Sequence, residues 1–169
     1  LAACDFRFSH TDVGWNNRNG RWQINVVMKR SEDHGRTWSD TLCVARGDEQ
    51  AADTVRTAFG DPCIVADRTS DNVLMSCVAG KTGYQTATRR NPMHAFFFRS
   101  TDGGRTWDNG TDLTEMIHGL YDGRLPGGCP DGIFLTSGKI MQSRYIRRDR
   151  FYRLYIAPPV RQAGAARCG

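Results

Sequence analysis

The sequence predicts an all-β protein, in which short strands are joined by tight polar turns. Three observations lead to this prediction. Glycine is frequent, at 18 of 169 residues. Short apolar runs alternate with polar clusters typical of turns, and one eight-residue motif occurs twice. The hydrophobic content of 39% is enough for the core of one domain, and a single helical turn is predicted, over 113–117.

The repeated motif follows the pattern S-x-D-x-G-x-T-W. It spans 31–38 and again 100–107, each time after an apolar run with strand character, 22–28 and 95–98. The Ser and Asp side chains can accept hydrogen bonds from loop N–H groups, Gly allows positive φ, and Trp can bury its ring against the next strand. We therefore interpret ten residues as structural rather than catalytic: Ser31, Asp33, Gly35, Thr37, Trp38, Ser100, Asp102, Gly104, Thr106 and Trp107.

Further strands follow from apolar runs between polar turns. Residues 62–67 and 72–78 predict a hairpin across a polar turn, and 132–135, 139–146 and 151–156 predict another set. We interpret 147–150, between the last two, as a solvated hairpin tip. The opening residues 1–4 resemble the middle of a buried strand and the last residues form a turn-like tail, so we expect a segment of a longer protein.

Composition and residue spacing argue against a nucleic-acid-binding surface, a membrane-spanning helix and a cysteine-based metal site. The net charge is +5, but the basic residues are dispersed and are not interleaved with aromatic residues as in a nucleic-acid-binding surface. No stretch approaches the length of a membrane-spanning helix, and no signal peptide is visible. The six cysteines lack metal-ligand spacing, and we expect four of them to be small buried apolar side chains rather than a disulfide framework. Those four are Cys4, Cys43, Cys63 and Cys77.

The doubled motif resembles the Asp-boxes of sialidases, which lie on the outer hairpins of a six-bladed β-propeller. The resemblance implies that 1–169 is a partial sialidase propeller domain with about two to three blades. Asp-boxes also occur in propellers without catalytic activity. A non-catalytic propeller that binds glycans or proteins is therefore the alternative, and residues outside the boxes have to separate the two.

Two segments outside the boxes resemble sialidases of the bacterial and animal type. Arg7 resembles the arginine beside the O4 pocket of sialic acid, and Asp12, on the following loop, resembles the acid/base aspartate. Asp61, in the segment 59–65, resembles the aspartate that contacts the ring substituents. Taken alone, Arg7 would be a surface strand residue or a partner of Asp5, and Asp12 would be an exposed loop carboxylate. Asp61, which precedes a proline, is also consistent with a turn initiator.

Two weaker features complete the resemblance. Tyr84 lies where a loop aromatic could lean over the glycerol or aglycone side of the substrate, although a loop-anchoring tyrosine is equally consistent with its position. Residues 137–144 and 152–155 resemble the third-blade hairpin of sialidases of the Bacteroidetes type.

The resemblance implies a retaining exo-α-sialidase that acts on sialylated glycans without a cofactor or metal. In that family a tyrosine paired with a glutamate is the nucleophile, because a carboxylate nucleophile would meet the carboxylate of sialic acid at close range. Three arginines hold the substrate carboxylate. The tyrosine, the glutamate and these arginines are expected outside this sequence, so we expect the chain alone to be inactive, and we expect a secreted or periplasmic location from the substrate.

Overall fold

A computed structural model describes residues 1–16, 22–52, 55–67, 69–83 and 90–116. These residues form nine strands and one short helical turn at 114–116. The strands are β1 (Ala2–Arg7), β2 (Thr11–Asp12), β3 (Trp15–Asn16), β4 (Ile24–Lys29), β5 (Leu42–Ala45), β6 (Phe59–Ala66), β7 (Val73–Ala79), β8 (His94–Ser100) and β9 (Thr111–Asp112). The all-β prediction is confirmed. The strands predicted over 132–156 and the tip at 147–150 lie outside the described residues.

The first sheet has the order β1-β4-β5, with antiparallel pairing throughout. In its register Ala2 lies opposite Lys29 and Arg7 lies opposite Ile24. The two-stranded hairpin β2-β3 interrupts the connection between β1 and β4. This insertion places a short loop structure directly after Arg7, at the end of β1.

The second sheet has the order β6-β7-β8-β9 and is also antiparallel. The predicted hairpin of 62–67 and 72–78 is therefore present as β6 and β7. Sequential strands are neighbours across the whole sheet, as in the four-stranded blade of a propeller.

The two sheets share a hydrophobic core, to which β4 and β5 contribute from one side and β6, β7 and β8 from the other. Phe59 lies at its centre, 1% exposed, and packs edge-to-face on Phe96 and Phe98, at ring-centroid distances of 5.2 Å and 5.8 Å. The other buried members are Val26, Met28, Ala45, Met75, Cys77 and Ala79. The core thus joins the sheets and fixes the position of β6 relative to β1.

The two S-x-D-x-G-x-T-W motifs, named Asp-boxes after the motif that they resemble, adopt the same hydrogen-bond network, one between β4 and β5 and one between β8 and β9. In the second box, Asp102 accepts hydrogen bonds from the Thr106 main-chain N–H at 2.9 Å and from the Thr106 hydroxyl at 2.5 Å. Ser100 donates to Asp102 at 2.8 Å and accepts from the Gly104 N–H at 2.8 Å. Gly104 has φ of 85°, a left-handed conformation that glycine adopts at little cost. These contacts close the turn.

The first box repeats this network with its own residues. The Asp33 carboxylate accepts from the Thr37 N–H at 2.8 Å and the Thr37 hydroxyl at 2.6 Å, and Ser31 bridges Asp33 and the Gly35 N–H. In each box the indole N–H donates to the carbonyl of the box glycine, from Trp38 at 3.1 Å and from Trp107 at 3.2 Å.

At acid pH the carboxylates of the two boxes should stabilise the fold less. Hydrogen bonds from Thr37, the main contribution, lower the pKa of Asp33 from 3.8 to about 2, and those from Thr106 lower the pKa of Asp102 as well. A carboxylate with a lowered folded-state pKa stabilises the fold above its unfolded pKa and loses that effect as pH falls through the folded value. We expect the thermal midpoint to fall between about pH 4 and pH 2, with a smaller fall in Asp102→Ala.

Asp40→Ala is the matched control for this measurement, because the described hydrogen bond at Asp40 is accepted by its main-chain carbonyl. Calorimetric scans across this pH range should show the wild-type dependence in the control. An Asp102→Ala variant with the same midpoint as wild type at neutral pH and the same fall in acid would contradict the structural role of the box carboxylate.

Two burial predictions were wrong. Cys4 is exposed, because it lies on the face of β1 (Ala2–Arg7) that the core does not cover, whereas Ala3 on the other face packs against the core. Trp38 is 46% exposed: it folds back over its own turn, whereas Trp107 packs against the shared core. Of the other cysteines expected to be buried, Cys63 and Cys77 are buried and Cys43 is half-buried.

Candidate functional site

The candidate residues lie at the end of the sheets opposite the Asp-boxes. Arg7 pairs with Ile24 at one end of the first sheet, and Ile24 forms a parallel bridge to Ala58, just before β6. The first box begins just after Lys29 and the second begins at Ser100, at the other ends of β4 and β8. The ends of β1 and β6 therefore converge beside the β2-β3 hairpin.

Arg7 connects the end of β1 to this hairpin. Its Nη1 donates to the carbonyl of Thr11 at 3.0 Å, and its Nη2 donates to Asp5 Oδ2 at 2.8 Å and to Asp12 Oδ1 at 3.1 Å. The hydrogen bond to Asp5 is the main cause that raises the pKa of Arg7, and the charges of Asp12, Asp5 and Asp61 add to it. The guanidinium is therefore a fixed positive charge that remains 38% exposed.

Asp12 lies on β2 with about half of its side chain exposed (52%). Its Oδ1 accepts a hydrogen bond from the Val13 N–H at 2.8 Å in addition to the one from Arg7. Thr11, the preceding residue, is 2% exposed, and Val13 is 7% exposed. Asp12 is thus a solvent-facing carboxylate between two buried anchors, which suits a group that must reach a bound molecule.

Asp61 lies on a β-bulge in β6. Gly60 pairs with Val78 and Cys63 with Ser76, so Asp61 and Pro62 together oppose the single residue Cys77. The backbone of Asp61 has φ of 54°, a left-handed conformation that is uncommon for residues other than glycine. Bulges often redirect a side chain beside a functional site, and backbone strain tends to collect there.

Asp5 holds these parts together, although the sequence pattern predicted it only as a possible partner of Arg7 and not as a site residue. Its Oδ1 accepts the Asp61 main-chain N–H at 2.9 Å, while its Oδ2 accepts from Arg7 at 2.8 Å. The signal was present in the sequence: residues two apart on a strand face the same side, so Asp5 and Arg7 had to share a face of β1. Asp5, Arg7, Asp12 and Asp61 therefore form one cluster.

Two glycines let the hairpin that carries Asp12 approach the segment after β7. A Cβ on Gly14, whose φ is +76°, would lie 1.8 Å from the main-chain nitrogen of Gly83. Such a distance requires the backbone to move. The hairpin thus rests directly on the main chain of another segment.

Gly14→Ala should therefore displace the Asp12 hairpin. We expect a lower thermal midpoint and faster amide exchange at Val13, because the new methyl group collides with main chain that a side-chain rotation cannot relieve. Gly35→Ala is the control: Gly35 also has positive φ, at +87°, but a Cβ there would meet only the Trp38 ring, at 3.6 Å. Equal effects of the two substitutions, with Val13 exchange unchanged in both, would contradict the close approach.

Near the cluster, the described residues offer neither a reactive thiol nor a set of metal ligands. Burial, together with the charges of Asp5 and Asp61, raises the pKa of the Cys77 thiol, which disfavours the reactive thiolate. Among the described residues, no group of His, Cys, Asp and Glu could hold a metal ion, and no helix is long and apolar enough to cross a membrane. Tyr84 lies outside the described residues.

Comparison with known proteins identifies the family. The family model of the BNR repeat-like domain matches residues 13–156. The chain belongs to this family. The two sheets whose hairpins carry the repeated motif form part of a sialidase-type propeller domain, as the resemblance of that motif predicted.

Curated relatives of this BNR repeat-like domain include two sialidases. The chain is 26% identical to a sialidase of Clostridium perfringens over 160 residues, which cover 86% of this chain and 41% of the relative. It is 32% identical to a sialidase of Micromonospora viridifaciens over 127 residues, which cover 71% of this chain and 18% of the relative. The chain thus spans less than half the length of each.

Solved structures include a Hadza microbial sialidase, Hz136. It aligns with a TM-score of 0.45 and 21% identity over 54% of this chain and 20% of that structure.

Proposed function

We propose that the protein to which this chain belongs is a retaining exo-α-sialidase that releases terminal sialic acid from glycoconjugates. The observation that carries the proposal is the cluster in which Arg7 contacts Asp12 while Asp5 links Arg7 to Asp61. Arg7, Asp12 and Asp61 are the residues that resemble sialidase site residues, and they converge at the end of the sheets away from the Asp-boxes. The two curated sialidase relatives support the same substrate class.

In this proposal Asp12 is the acid/base. Its carboxyl group donates a proton to the glycosidic oxygen while the oxygen of a tyrosine from another part of the protein attacks the anomeric carbon and gives its own proton to the glutamate partner. The bond to the glycosidic oxygen breaks, and the aglycone leaves as a neutral alcohol. In the second step the Asp12 carboxylate takes a proton from water as the water oxygen attacks the anomeric carbon, the bond to the tyrosine oxygen breaks, and the glutamate returns the proton to the tyrosine. The half-exposed position of Asp12 on a short hairpin supports this role, because a group that exchanges protons with a substrate oxygen and with water has to be accessible to both.

Arg7 and Asp61 form one wall of the proposed pocket. A guanidinium donates several directed hydrogen bonds to sugar hydroxyl oxygens, and a carboxylate accepts from hydroxyl or amide N–H groups. Arg7 already orients Asp12 through its Nη2 atom, so that one residue contacts both the acid/base and the bound sugar. Tyr84 is proposed to lie near the glycerol or aglycone side.

The rest of the machinery is proposed to come from other parts of the protein. These parts are the tyrosine nucleophile with its glutamate partner and the arginines that hold the substrate carboxylate. They would complete a six-bladed propeller, of which this chain contributes about two to three blades. The site as proposed requires no cofactor, and a secreted or periplasmic location would bring the enzyme to extracellular sialylated glycans.

An NMR time course tests the proposal. Full-length protein is incubated with sialyllactose isomers, and free sialic acid is followed by its anomeric signals. We expect release of the α anomer first, because two displacements retain the configuration. Release of the β anomer first would contradict the retaining mechanism. Binding of sialosides without release would contradict hydrolysis and favour a non-catalytic glycan-binding propeller, and transfer to added galactosides instead of water would indicate a trans-sialidase.

A further inference from the structure

We propose that Asp5 is the positioning residue of this site, and that it holds Arg7 and Asp61 in the geometry that binds the sugar. The proposal rests on the proposed sialidase function for its activity readout, but the positioning itself is observable without substrate. Asp5 is not placed in contact with the substrate, so it acts through the residues it holds.

The two carboxylate oxygens of Asp5 are used on two different strands. Oδ2 accepts from Arg7 on its own strand β1, and Oδ1 accepts from the main-chain N–H of Asp61 on β6. The side chain is 14% exposed, compared with 38% for Arg7. Because two donors bind the carboxylate and little of it is exposed, water competes weakly for these hydrogen bonds. The carboxylate therefore keeps one orientation and can position both partners.

The bulge explains why Asp61 needs this partner. Asp61 and Pro62 oppose one residue of β7, so the regular ladder is interrupted where Asp61 would otherwise pair. The main-chain N–H of Asp61 therefore lies outside the regular ladder, and it donates to the Asp5 carboxylate from the neighbouring sheet. The left-handed backbone of Asp61 is thus stabilised by a side chain from β1.

Gly60 is the neighbour that allows the approach. A Cβ on Gly60 would lie 2.9 Å from the Val13 side chain and 3.4 Å from Asp5 Oδ2. The missing side chain therefore leaves room both for the Asp5 carboxylate and for the residue next to Asp12. This single position on β6 is where β1, the bulge and the Asp12 hairpin meet.

Asp5→Asn separates positioning from packing, because asparagine has nearly the same shape but only one acceptor oxygen. If that oxygen accepts from Asp61, the amide NH₂ faces the Arg7 guanidinium and donor opposes donor. Arg7 then loses its strongest partner, and the substitution should loosen its side chain without leaving a cavity. Asp67→Asn is the matched control: Asp67 follows the opposite end of β6 and accepts from the Thr69 N–H and from the Thr69 and Ser70 hydroxyls.

The first measurement is the side-chain ¹⁵N–¹H spectrum of Arg7 in full-length protein labelled at arginine, with the signals assigned by Arg7→Lys. We expect resolved guanidinium signals in wild type and in Asp67→Asn, and averaged signals in Asp5→Asn. Resolved signals in Asp5→Asn would overturn the positioning role, whether or not the protein is a sialidase.

The second measurement is the affinity for an unsaturated sialic acid analogue. We expect Asp5→Asn to bind at least about tenfold more weakly than wild type and Asp67→Asn to bind as wild type does. The loss should shrink when Arg7 is already alanine, because the two residues act through one contact. An analogue affinity unchanged by Asp5→Asn, in a wild-type protein that binds and hydrolyses sialosides, would overturn the inference while leaving the proposed function intact; a wild-type protein that does neither would instead count against the proposed function.

Discussion

Replacing Asp12 with alanine in the full-length protein is expected to slow the release of sialic acid from natural sialosides by about 10²–10⁴-fold, the usual contribution of a general acid. The loss should be much smaller for aryl sialosides with an acidic phenol as leaving group, because a good leaving group departs without protonation. Initial rates on the two substrate classes, compared at equal concentrations of folded protein, provide the measurement.

Asp67→Ala serves as the control for this prediction, since it removes a carboxylate from the turn at the far end of β6. It should leave the ratio of the two rates unchanged. Natural-sialoside turnover that is the same in Asp12→Ala and wild type would rule out the acid/base assignment. An equal loss on both substrate classes would also count against it, because a general acid acts on the leaving group.

Replacing Phe59 with alanine is expected to lower the free energy of unfolding by about 3–5 kcal/mol, as is usual for a large aromatic side chain in a core. Phe59 is 1% exposed and its ring contacts both Phe96 and Phe98. Its loss removes the contact that joins β6 to β8 and leaves a cavity that the surrounding strands fill only in part. Unfolding in urea, followed by tryptophan fluorescence, measures the change.

Leu74→Ala is the control for the core, because Leu74 on β7 is 37% exposed. It should cost much less than Phe59→Ala. If both substitutions lowered the free energy of unfolding equally, Phe59 would not be the buried core residue that the structure shows.

The sequence predicted the features that depend on local patterns. The S-x-D-x-G-x-T-W repeat predicted two hairpin turns closed by Asp33 and Asp102, because a carboxylate, a hydroxyl and a glycine at those spacings can satisfy one loop. The alternation of apolar runs and polar turns predicted the β6-β7 hairpin. Both features depend on residues that are close together in the chain, so they can be predicted from one sequence.

The features that the sequence did not predict depend on contacts between distant segments. Asp5 and Asp61 are 56 residues apart, and nothing in the local pattern shows that one accepts the main-chain N–H of the other. The bulge follows from the register between β6 and β7 rather than from the residues of β6 alone. The exposure of Cys4 and Trp38 depends on what covers each face, which an apolar run does not specify.

The central claim is that Arg7, Asp12 and Asp61 form one wall of a sialoside pocket, with binding and proton transfer carried by different residues. The most direct test is a calorimetric titration of full-length wild type, Arg7→Ala and Asp12→Ala with an unsaturated sialic acid analogue. We predict that Arg7→Ala weakens binding by about tenfold or more, equivalent to at least about 1.4 kcal/mol, and that Asp12→Ala binds nearly as wild type does. Binding of the analogue to Arg7→Ala with wild-type affinity would contradict the claim.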